Sequence, residues 1–385
     1  MTTTSAPASE PLTRQVSHHV SQSVFDGSRL RVVLLVDVND GAQQQFLEAY
    51  EQLCNQVASV PGHVSDQLCQ SIENPSQWLI TSEWESAPPF LTWVNSEEHV
   101  RMVEPLHSCV RDTRSLRFHI VRETGGPAAS AESGDRRLQT SPRIGDGVIR
   151  HALTFTVKPG SEKAVAKILA DYASPDPQVD DATRLIRTSL FMHGNRVVRA
   201  IEVRGDLLAA LRHVARQPEV RAVEEAINPY LEQHRDLDDP ESARVFFTRA
   251  ALPAVHHVTS DEASPDAVRH ALYYPAVEGG GMRLAELLAQ QDEVAARDPH
   301  SPVLHSTIFQ RDDVVVRLVD VRDAIDTDPV QVLGLTDRAR AAEVTALLDG
   351  DVLGADAAAL LDSAPAGLLT LARMELVTDR RSPRA

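Results

Sequence analysis

Cysteine and long apolar runs are scarce in this sequence of 385 residues. Its three cysteines, Cys54, Cys69 and Cys109, have no metal-ligand spacing, and their odd number argues against a disulfide scaffold. They are interpreted as small buried hydrophobes in a reducing cytoplasm. No apolar run approaches the roughly 20 residues that a membrane helix needs, so we expect no spanning segment.

Positive charge is also in short supply. The formal net charge of −17 disfavours nucleic acid, whose phosphates need a basic face, and equally an anionic membrane surface. Only Lys158, Lys163 and Lys167 are lysines, so a Schiff-base mechanism has few candidates. The glycine run at 279–281 has no accompanying phosphate-loop lysine or dinucleotide fingerprint, and no zinc or Ser–His–Asp spacing stands out. We therefore expect neither a cofactor nor a metal.

What the sequence does contain is a repeat. Gly41, Gly160 and Gly279 are spaced 119 residues apart, and each follows an apolar run and precedes an amphipathic helix. A strand motif recurs in nearly the same register, as LITSEWES (79–86), VRAIEVRG (198–205) and VRLVDVRD (316–323). This register aligns three carboxylates, Glu83, Glu202 and Asp320. Because an acid persists in every copy, it is interpreted as structural.

The periodicity of the first copy predicts a βαββαβ order. Its predicted elements are a strand at 30–38, a helix at about 42–58, strands at 64–72 and 77–85, a helix at about 88–110 and a strand at 116–123. This order is that of the ferredoxin-like fold, in which helices cover one face of an antiparallel sheet. The predicted class is therefore α+β, with three tandem ferredoxin-like units and barrel-type packing of their sheets.

Composition sets the predicted boundaries of these units. They are a disordered lead-in at 1–28, a first unit at 29–123, a linker at 124–148, a second unit at 149–252, a linker at 253–268 and a degraded third unit at 269–379. The open sheet faces of the first and second units are expected to pack together as an intrachain pseudo-dimer. The open sheet face of the third unit would then need another surface to pack against, which predicts a homodimer.

All three tryptophans, Trp78, Trp84 and Trp93, fall in the first unit. Trp78 and Trp84 share one face of a strand because side chains alternate with period two, whereas Trp93 belongs to the second helix. They either fill a core or line a cleft for a polycyclic aromatic ligand. The corresponding positions of the other copies are smaller, which directs attention to the first unit.

His107 is the first candidate for a general base. It lies in VEPLH (103–107), where the second copy has a leucine. It is either a satisfied buried histidine or a base that faces the cleft and acts near neutral pH. His63, in the PGH turn, is the second candidate. Arg111 either neutralises a phenolate or forms a surface salt bridge with Asp112 or Glu104.

The segment VPGHVSDQLCQSIENPSQWLITSEWES (60–86) resembles an antibiotic biosynthesis monooxygenase domain, with PG before the second strand and EWES ending the third. The remaining two thirds resemble the SchA/CurD-like proteins of aromatic polyketide and spore-pigment clusters in actinomycetes. EPLHSCVRDTRSLRF (104–118) also looks close to such proteins.

The resemblance implies a ferredoxin-like fold that dimerises by packing sheets. It also implies a cofactor-independent monooxygenase that oxidises a phenolic polycyclic polyketide with dioxygen as co-substrate. Under that implication His107 or His63 would be the base, Arg111 would bind the oxyanion and the tryptophans would form the walls. Two alternatives stay open: a polyketide cyclase or aromatase-type assistant, and a non-catalytic scaffold of the synthase complex.

Overall fold

The structure is a computed structural model that describes residues 20–121, 145–260 and 266–382. The strands are β1 Val20–Ser23, β2 Leu30–Val38, β3 His63–Gln70, β4 Gln77–Trp84, β5 Val110–His119, β6 Val148–Thr156, β7 Arg184–His193, β8 Arg196–Arg204, β9 Ala251–Thr259, β10 Val268–Pro275, β11 Val303–Arg311, β12 Val314–Val321 and β13 Glu375–Arg381. The α-helices are α1 Gln43–Val57, α2 Ala87–Val94, α3 Glu97–Cys109, α4 Glu162–Asp171, α5 Leu207–Arg216, α6 Pro218–Ile227, α7 Pro240–Ala250, α8 Gly281–Ala295, α9 Pro329–Leu333, α10 Arg338–Ala346, α11 Gly350–Leu353, α12 Ala357–Ser363 and α13 Pro365–Ala372. The strands pair antiparallel in two sheets, which confirms the predicted α+β class.

The first unit has a sheet of its own, in the order β3–β4–β2–β5. This is the ferredoxin-like order, and α1 and α3 cover one face around Val36, Phe46 and Leu106. The predicted single second helix is two helices, because the Ser96 hydroxyl accepts a hydrogen bond from the backbone N–H of His99 and starts α3 afresh. The closing strand begins at Val110, earlier than predicted.

The second and third units share one nine-stranded sheet. Strand β9, which closes the second unit, pairs with β6 at its start and with β11 of the third unit along the rest. Strand β13, at the end of the chain, pairs in turn with β7 of the second unit. A bridge between Leu272 and Arg373 brings the two ends of the sheet together, so it nearly closes into a barrel.

The barrel interior holds an apolar cluster and a buried ion network. The cluster includes Phe191, Leu252 and Phe309, from both units. Asp320 is bound by Arg187 at 3.1 Å and by Arg269 at 2.8 Å. These arginines come from β7 and β10, so the network joins the second unit to the third.

The prediction that the first and second units pack sheet on sheet is therefore wrong. The second and third units are the ones joined, through the β9–β11 and β7–β13 strand pairs, and Arg269 also bridges Glu202 and Asp320 across their shared interior. In the first unit the aligned Glu83 is instead bound by its own neighbours, Arg29 and Arg31. All three repeated acids are thus held in ion pairs, in agreement with their structural interpretation.

Two predicted irregular segments need correction. Residues 20–23, assigned to a disordered lead-in, form β1, which pairs with β9. Residues 253–259, assigned to a linker, belong to β9 in the interior of the shared sheet, where His256 and His257 are buried. The polar residues of this stretch hid its strand character. Residues 1–19 and most of the predicted linker at 124–148 lie outside the described residues.

Candidate active site

A cavity of about 1660 Å³ lies between the helix-covered faces of the first and second units. In the first unit its wall is largely apolar, because the side chains of β2 and β4 that face the helices are mostly aliphatic. The apolar residues of this wall include Val32, Leu34, Val36, Phe46, Leu53, Ile80, Phe90 and Trp93. Such a surface suits a flat aromatic ligand.

Strand β5 adds a polar stripe to this apolar wall. Thr113, Ser115 and Arg117 alternate along the strand, and each pairs with an apolar residue of β2. The Arg117 guanidinium lies 5.3 Å from the Phe90 ring centroid, and no carboxylate of the described residues forms an ion pair with it. Burial lowers the pKa of Arg117, but an arginine stays charged at neutral pH. The cavity therefore contains a permanent cation without an anionic partner.

His99 lines the same cavity as this cation, in the first turn of α3. Its ring contacts Trp93 edge to face, with centroids 4.3 Å apart. Its Nδ1 is buried and has no hydrogen-bond partner in the described structure. Burial, together with the charges of His107 and Arg117, lowers the pKa of His99 to about 4. The imidazole is therefore neutral at pH 7 and has an unused nitrogen in the cavity region.

His107 also lines the cavity, about two helical turns after His99 on α3. Its Nδ1 lies 3.1 Å from Nη1 of Arg244, which belongs to α7 of the second unit. A guanidinium can only donate, so Nδ1 must accept and the proton of the neutral ring is on Nε2. In this arrangement His107 is a hydrogen-bond donor through Nε2.

A third histidine reaches the cavity from the second unit. His151 lies on β6, and burial followed by the charge of Arg117 lowers its pKa to about 4. The charge of Arg117, in the first unit, thus lowers the pKa of histidines from both units. The polar cluster is formed by both units together.

The three tryptophans separate into wall and core. Trp93 lines the cavity, and Trp84 is fully buried behind it, stacked at 5.4 Å. Trp84 donates from Nε1 to the Ser82 hydroxyl at 2.9 Å. Trp78 packs against Phe46, with ring centroids 5.5 Å apart, and is not part of the cavity wall. Only Trp93 is therefore positioned to touch a ligand directly.

His63 and Arg111 lie away from the cavity wall. The His63 Nε2 atom is 2.8 Å from an Asp66 carboxylate oxygen, and its ring meets the edge of Trp84. Arg111 is exposed and lies 3.7 Å from carboxylates of Asp37 and Asp40. Arg111 therefore forms surface ion pairs, but with these two acids and not with the predicted Asp112 or Glu104. Of the predicted catalytic and oxyanion residues, only His107 reaches the wall, and its catalytic role stays a prediction.

Sequence reasoning missed His99, Arg117 and His151. A signal for Arg117 was present, since the face of residues 110–119 that should pack under helices carries Thr113, Ser115 and Arg117 in alternation. Placing the closing strand at 116–123 concealed that alternation. His151 replaces Val32 of the first copy in the repeat register, which was a second usable signal.

Two family models match the chain. Residues 29–105 match the antibiotic biosynthesis monooxygenase model, and residues 148–260 match the SchA/CurD like domain. The chain is 62% identical to "Polyketide synthase CurD" of Streptomyces cyaneus, over 95% of this chain and 98% of that protein. The chain belongs to the SchA/CurD family. The resemblance noted in the sequence is thereby confirmed.

Other SchA/CurD family members are equally similar along their length. Protein SchA of Streptomyces halstedii is 60% identical over 96% of this chain and 97% of its own. The 42.8 kDa protein in the whiE locus of Streptomyces coelicolor is 59% identical over 99% of this chain and 95% of its own.

Solved structures match about a quarter of this SchA/CurD family chain. SnoaB of Streptomyces nogalater, described as a cofactor-independent oxygenase, is 16% identical over 25% of this chain and 96% of its own, with a TM-score of 0.24. A putative antibiotic biosynthesis monooxygenase from Nitrosomonas europaea is 13% identical over 26% of this chain and 96% of its own, with the same TM-score of 0.24. Within the described ranges, no helix is long and apolar enough to cross a membrane.

Proposed function

We propose that the chain is a cofactor-independent monooxygenase that oxidises a phenolic polycyclic aromatic polyketide intermediate in the cavity. The observation that carries this proposal is that neutral His99, Arg117 (which has no carboxylate partner among the described residues) and an apolar wall that includes Trp93 line one cavity. The monooxygenase model that matches residues 29–105 supports the reaction type. The family relatives support a role in aromatic polyketide biosynthesis.

The reaction needs only dioxygen as a co-substrate. Loss of a proton turns an anthrone-like substrate into an enolate, which passes one electron to dioxygen and gives a carbon radical and superoxide. These combine to a carbon–oxygen bond, and the protonated hydroperoxide loses water to leave a quinone carbonyl. The methylene carbon is oxidised, and dioxygen is reduced to one carbonyl oxygen and one water. The protein must therefore bind, orient and deprotonate the substrate.

His99 is proposed as the proton acceptor. Its Nδ1 has no partner in the described structure and its pKa of about 4 keeps it unprotonated. A base this weak needs a site that favours charge separation. When the substrate anion forms beside Arg117, it offsets the positive field that lowers the pKa of His99. The imidazolium and the enolate then stabilise each other.

Arg117 and His107 are proposed to hold the developing negative charge. Arg117 places a permanent cation in a partly desolvated cavity, where an oxyanion gains more from it than in water. His107 lines the same cavity, and its Nε2 carries the proton of the neutral ring because Nδ1 accepts from Arg244. A phenolate or peroxide oxygen between these two groups would be stabilised without a metal or an organic cofactor.

Oxygen uptake tests the proposal. The purified full chain is mixed with emodin anthrone in air-saturated buffer, and dioxygen is followed with an electrode against the spontaneous rate. We expect one dioxygen to be consumed for each quinone, with one atom of ¹⁸O₂ in the product. Quinone formation no faster than in buffer, across several anthrones and naphthacenones, would contradict it.

A cyclase or aromatase-type assistant is the second candidate, and the size of the cavity favours it. A volume of about 1660 Å³ exceeds the roughly 300–1,000 Å³ of ordinary ligand pockets, so the cavity has room for a long, partly folded polyketide. The name "Polyketide synthase CurD" of one relative fits such a role. Ring closure that proceeds equally well without oxygen would favour this candidate. Tight association with synthase subunits and no turnover would favour a scaffold.

A further inference from the structure

The second unit lines its half of the cavity with a different chemistry. The strand pairings place β6 and β8 in the same register as β2 and β4 of the first unit, offset by 119 residues. In that register Val32 corresponds to His151 and Ile80 to Arg199. Both replacements exchange an aliphatic side chain for a basic one on the face that lines the cavity.

Arg199 belongs to a buried cluster with a net positive charge. Its Nη1 lies 2.5 Å from Glu224, and Nη2 of Arg235 lies 2.6 Å from the other oxygen of the same carboxylate. Two guanidinium groups thus share one acid. Nε and Nη2 of Arg199 have no acceptor among the described residues. Burying a charge is costly without a partner, so this arrangement is unexplained by packing alone.

Three further arginines line the same half of the cavity: Arg212 and Arg216 on α5, and Arg221 on α6. All three side chains are exposed, and none has a carboxylate partner in the described part of the chain. Arg212 and Arg216 are four residues apart, so they share one helix face. The cavity wall as a whole carries nine arginines and three carboxylates, although the chain has a net charge of −17.

Helix electrostatics accounts for only part of this pattern. Arg216 ends α5, where a cation interacts favourably with the helix dipole. Arg221 is near the start of α6, where the dipole disfavours a cation, and Arg199 is on a strand. A shared function at the cavity explains all of them.

We propose that the second unit's half of the cavity binds an anionic group of a ligand, a carboxylate or a phosphate, through Arg199, Arg212, Arg216 and Arg221. The planar guanidinium fork matches both oxyanions and binds them by two parallel hydrogen bonds. Leu153, Ile201 and Phe247 supply an adjacent apolar surface for the ligand's carbon skeleton. This site goes beyond the oxidation proposed above and does not depend on it.

Matched naphthalene probes test the site by isothermal titration calorimetry. 2-Naphthoate and 2-naphthyl phosphate are compared with neutral 2-naphthamide at low ionic strength. We expect at least one anionic probe to bind about tenfold or more tightly than the amide, which corresponds to about 1.4 kcal/mol. The anionic probe that binds more tightly than the amide shows whether the site recognises a carboxylate or a phosphate. Equal affinities for all three probes would overturn the proposal.

Variants then locate the effect. R212Q/R216Q should remove most of the anionic probe's advantage and leave 2-naphthamide binding unchanged, since both side chains are exposed. R199Q should act in the same way, because Glu224 keeps Arg235 as its partner. R338Q, on exposed Arg338 of α10, matches the charge change of R199Q, and R338Q/R340Q on the same helix matches that of the double variant. If R338Q lost the anionic probe's advantage to the same extent, the effect would come from the overall charge of the protein, and the proposed site would be refuted. The titrations need no turnover, so they stand whether or not oxygen is consumed.

Discussion

Arg244 of the second unit donates a hydrogen bond from Nη1 to Nδ1 of His107 in the first unit, across 3.1 Å. The contact joins α7 to α3 at the cavity wall. An interaction between the units therefore sets which nitrogen of the neutral His107 ring carries the proton.

This contact predicts the tautomer of His107. Long-range ¹H–¹⁵N spectra should show an Nε2–H ring with an unprotonated Nδ1 in the unmodified protein. In Arg244→Met the ring should sample both tautomers, and the two nitrogen shifts should move towards each other. Arg249→Met removes a different contact of the same helix, the 3.0 Å pair with Glu97, and should leave the His107 shifts in place. A proton on Nδ1 in the unmodified protein would contradict the assigned role.

Replacement of His99 tests the proposed base. His99→Ala should slow substrate-dependent oxygen consumption about 100-fold or more, because general-base catalysis typically contributes about 10²–10⁴. With a pKa of about 4 in the free protein, kcat/KM should be level from about pH 5.5 to pH 8. His119→Ala, on the same unit but outside the cavity wall, should retain full activity. A rate that rises through pH 6 to 7 and survives His99→Ala would transfer the role to another group.

The fold of the first unit was largely predictable, and its reactive groups were not. Alternation in LITSEWES and the repeat register located β4 and the helices around it. His107 drew attention because the second copy has a leucine there, and the same register places His99 opposite Val223, a signal that the sequence analysis did not use. Its significance comes from its ring contact with Trp93 at the end of α2 and from the charge of Arg117 on β5, and helical periodicity predicts neither. The second and third units are joined by the β9–β11 and β7–β13 strand pairs and by Arg269 between two acids, and periodicity carries no information on such long-range contacts.

Substitution of Arg117 should lower the reaction rate, whereas substitution of Arg111 should leave it nearly unchanged. Arg117→Gln should lower kcat about 100-fold, the usual scale for loss of one oxyanion donor, and Arg117→Lys should recover part of it by keeping the charge. Arg111→Gln removes an exposed cation that is only 3.7 Å from its acids, so the rate should change less than about threefold. Equal effects of the two Gln variants would show that overall charge, not position, sets the rate.

Substitutions in the stacked pair Trp84 and Trp93 should have different effects, on stability at Trp84 and on substrate binding at Trp93. Trp84 is fully buried, so Trp84→Ala should lower the free energy of unfolding by about 3–5 kcal/mol. Trp93→Leu keeps an apolar side chain at the wall and should mainly raise KM. Urea titrations and steady-state kinetics on both variants measure the two effects. A stable Trp84→Ala protein with altered KM would instead put Trp84 in contact with the substrate.

Two neutral histidines should make the protein sensitive to mild acid. The pKa values of His99 and His151 are both about 4 in the folded chain, whereas an unfolded histidine titrates near 6.5. The unfolded state therefore binds more protons between these pH values. The free energy of unfolding is unaffected by the two histidines above about pH 6.5 and decreases as the pH falls towards 4. Each histidine should cost about 2 kcal/mol of stability between pH 7 and pH 5.

His151→Val, which installs the residue that the first unit has at this position, should remove its share of the loss. The urea midpoints of the variant at pH 7 and pH 5 should lie closer together than those of the unmodified protein. His300→Gln changes an exposed histidine and should leave that difference unaltered. An unchanged difference in His151→Val would mean that His151 is protonated at pH 5 in the folded chain. Burial and the charge of Arg117 would then lower the pKa of His151 less than their positions imply.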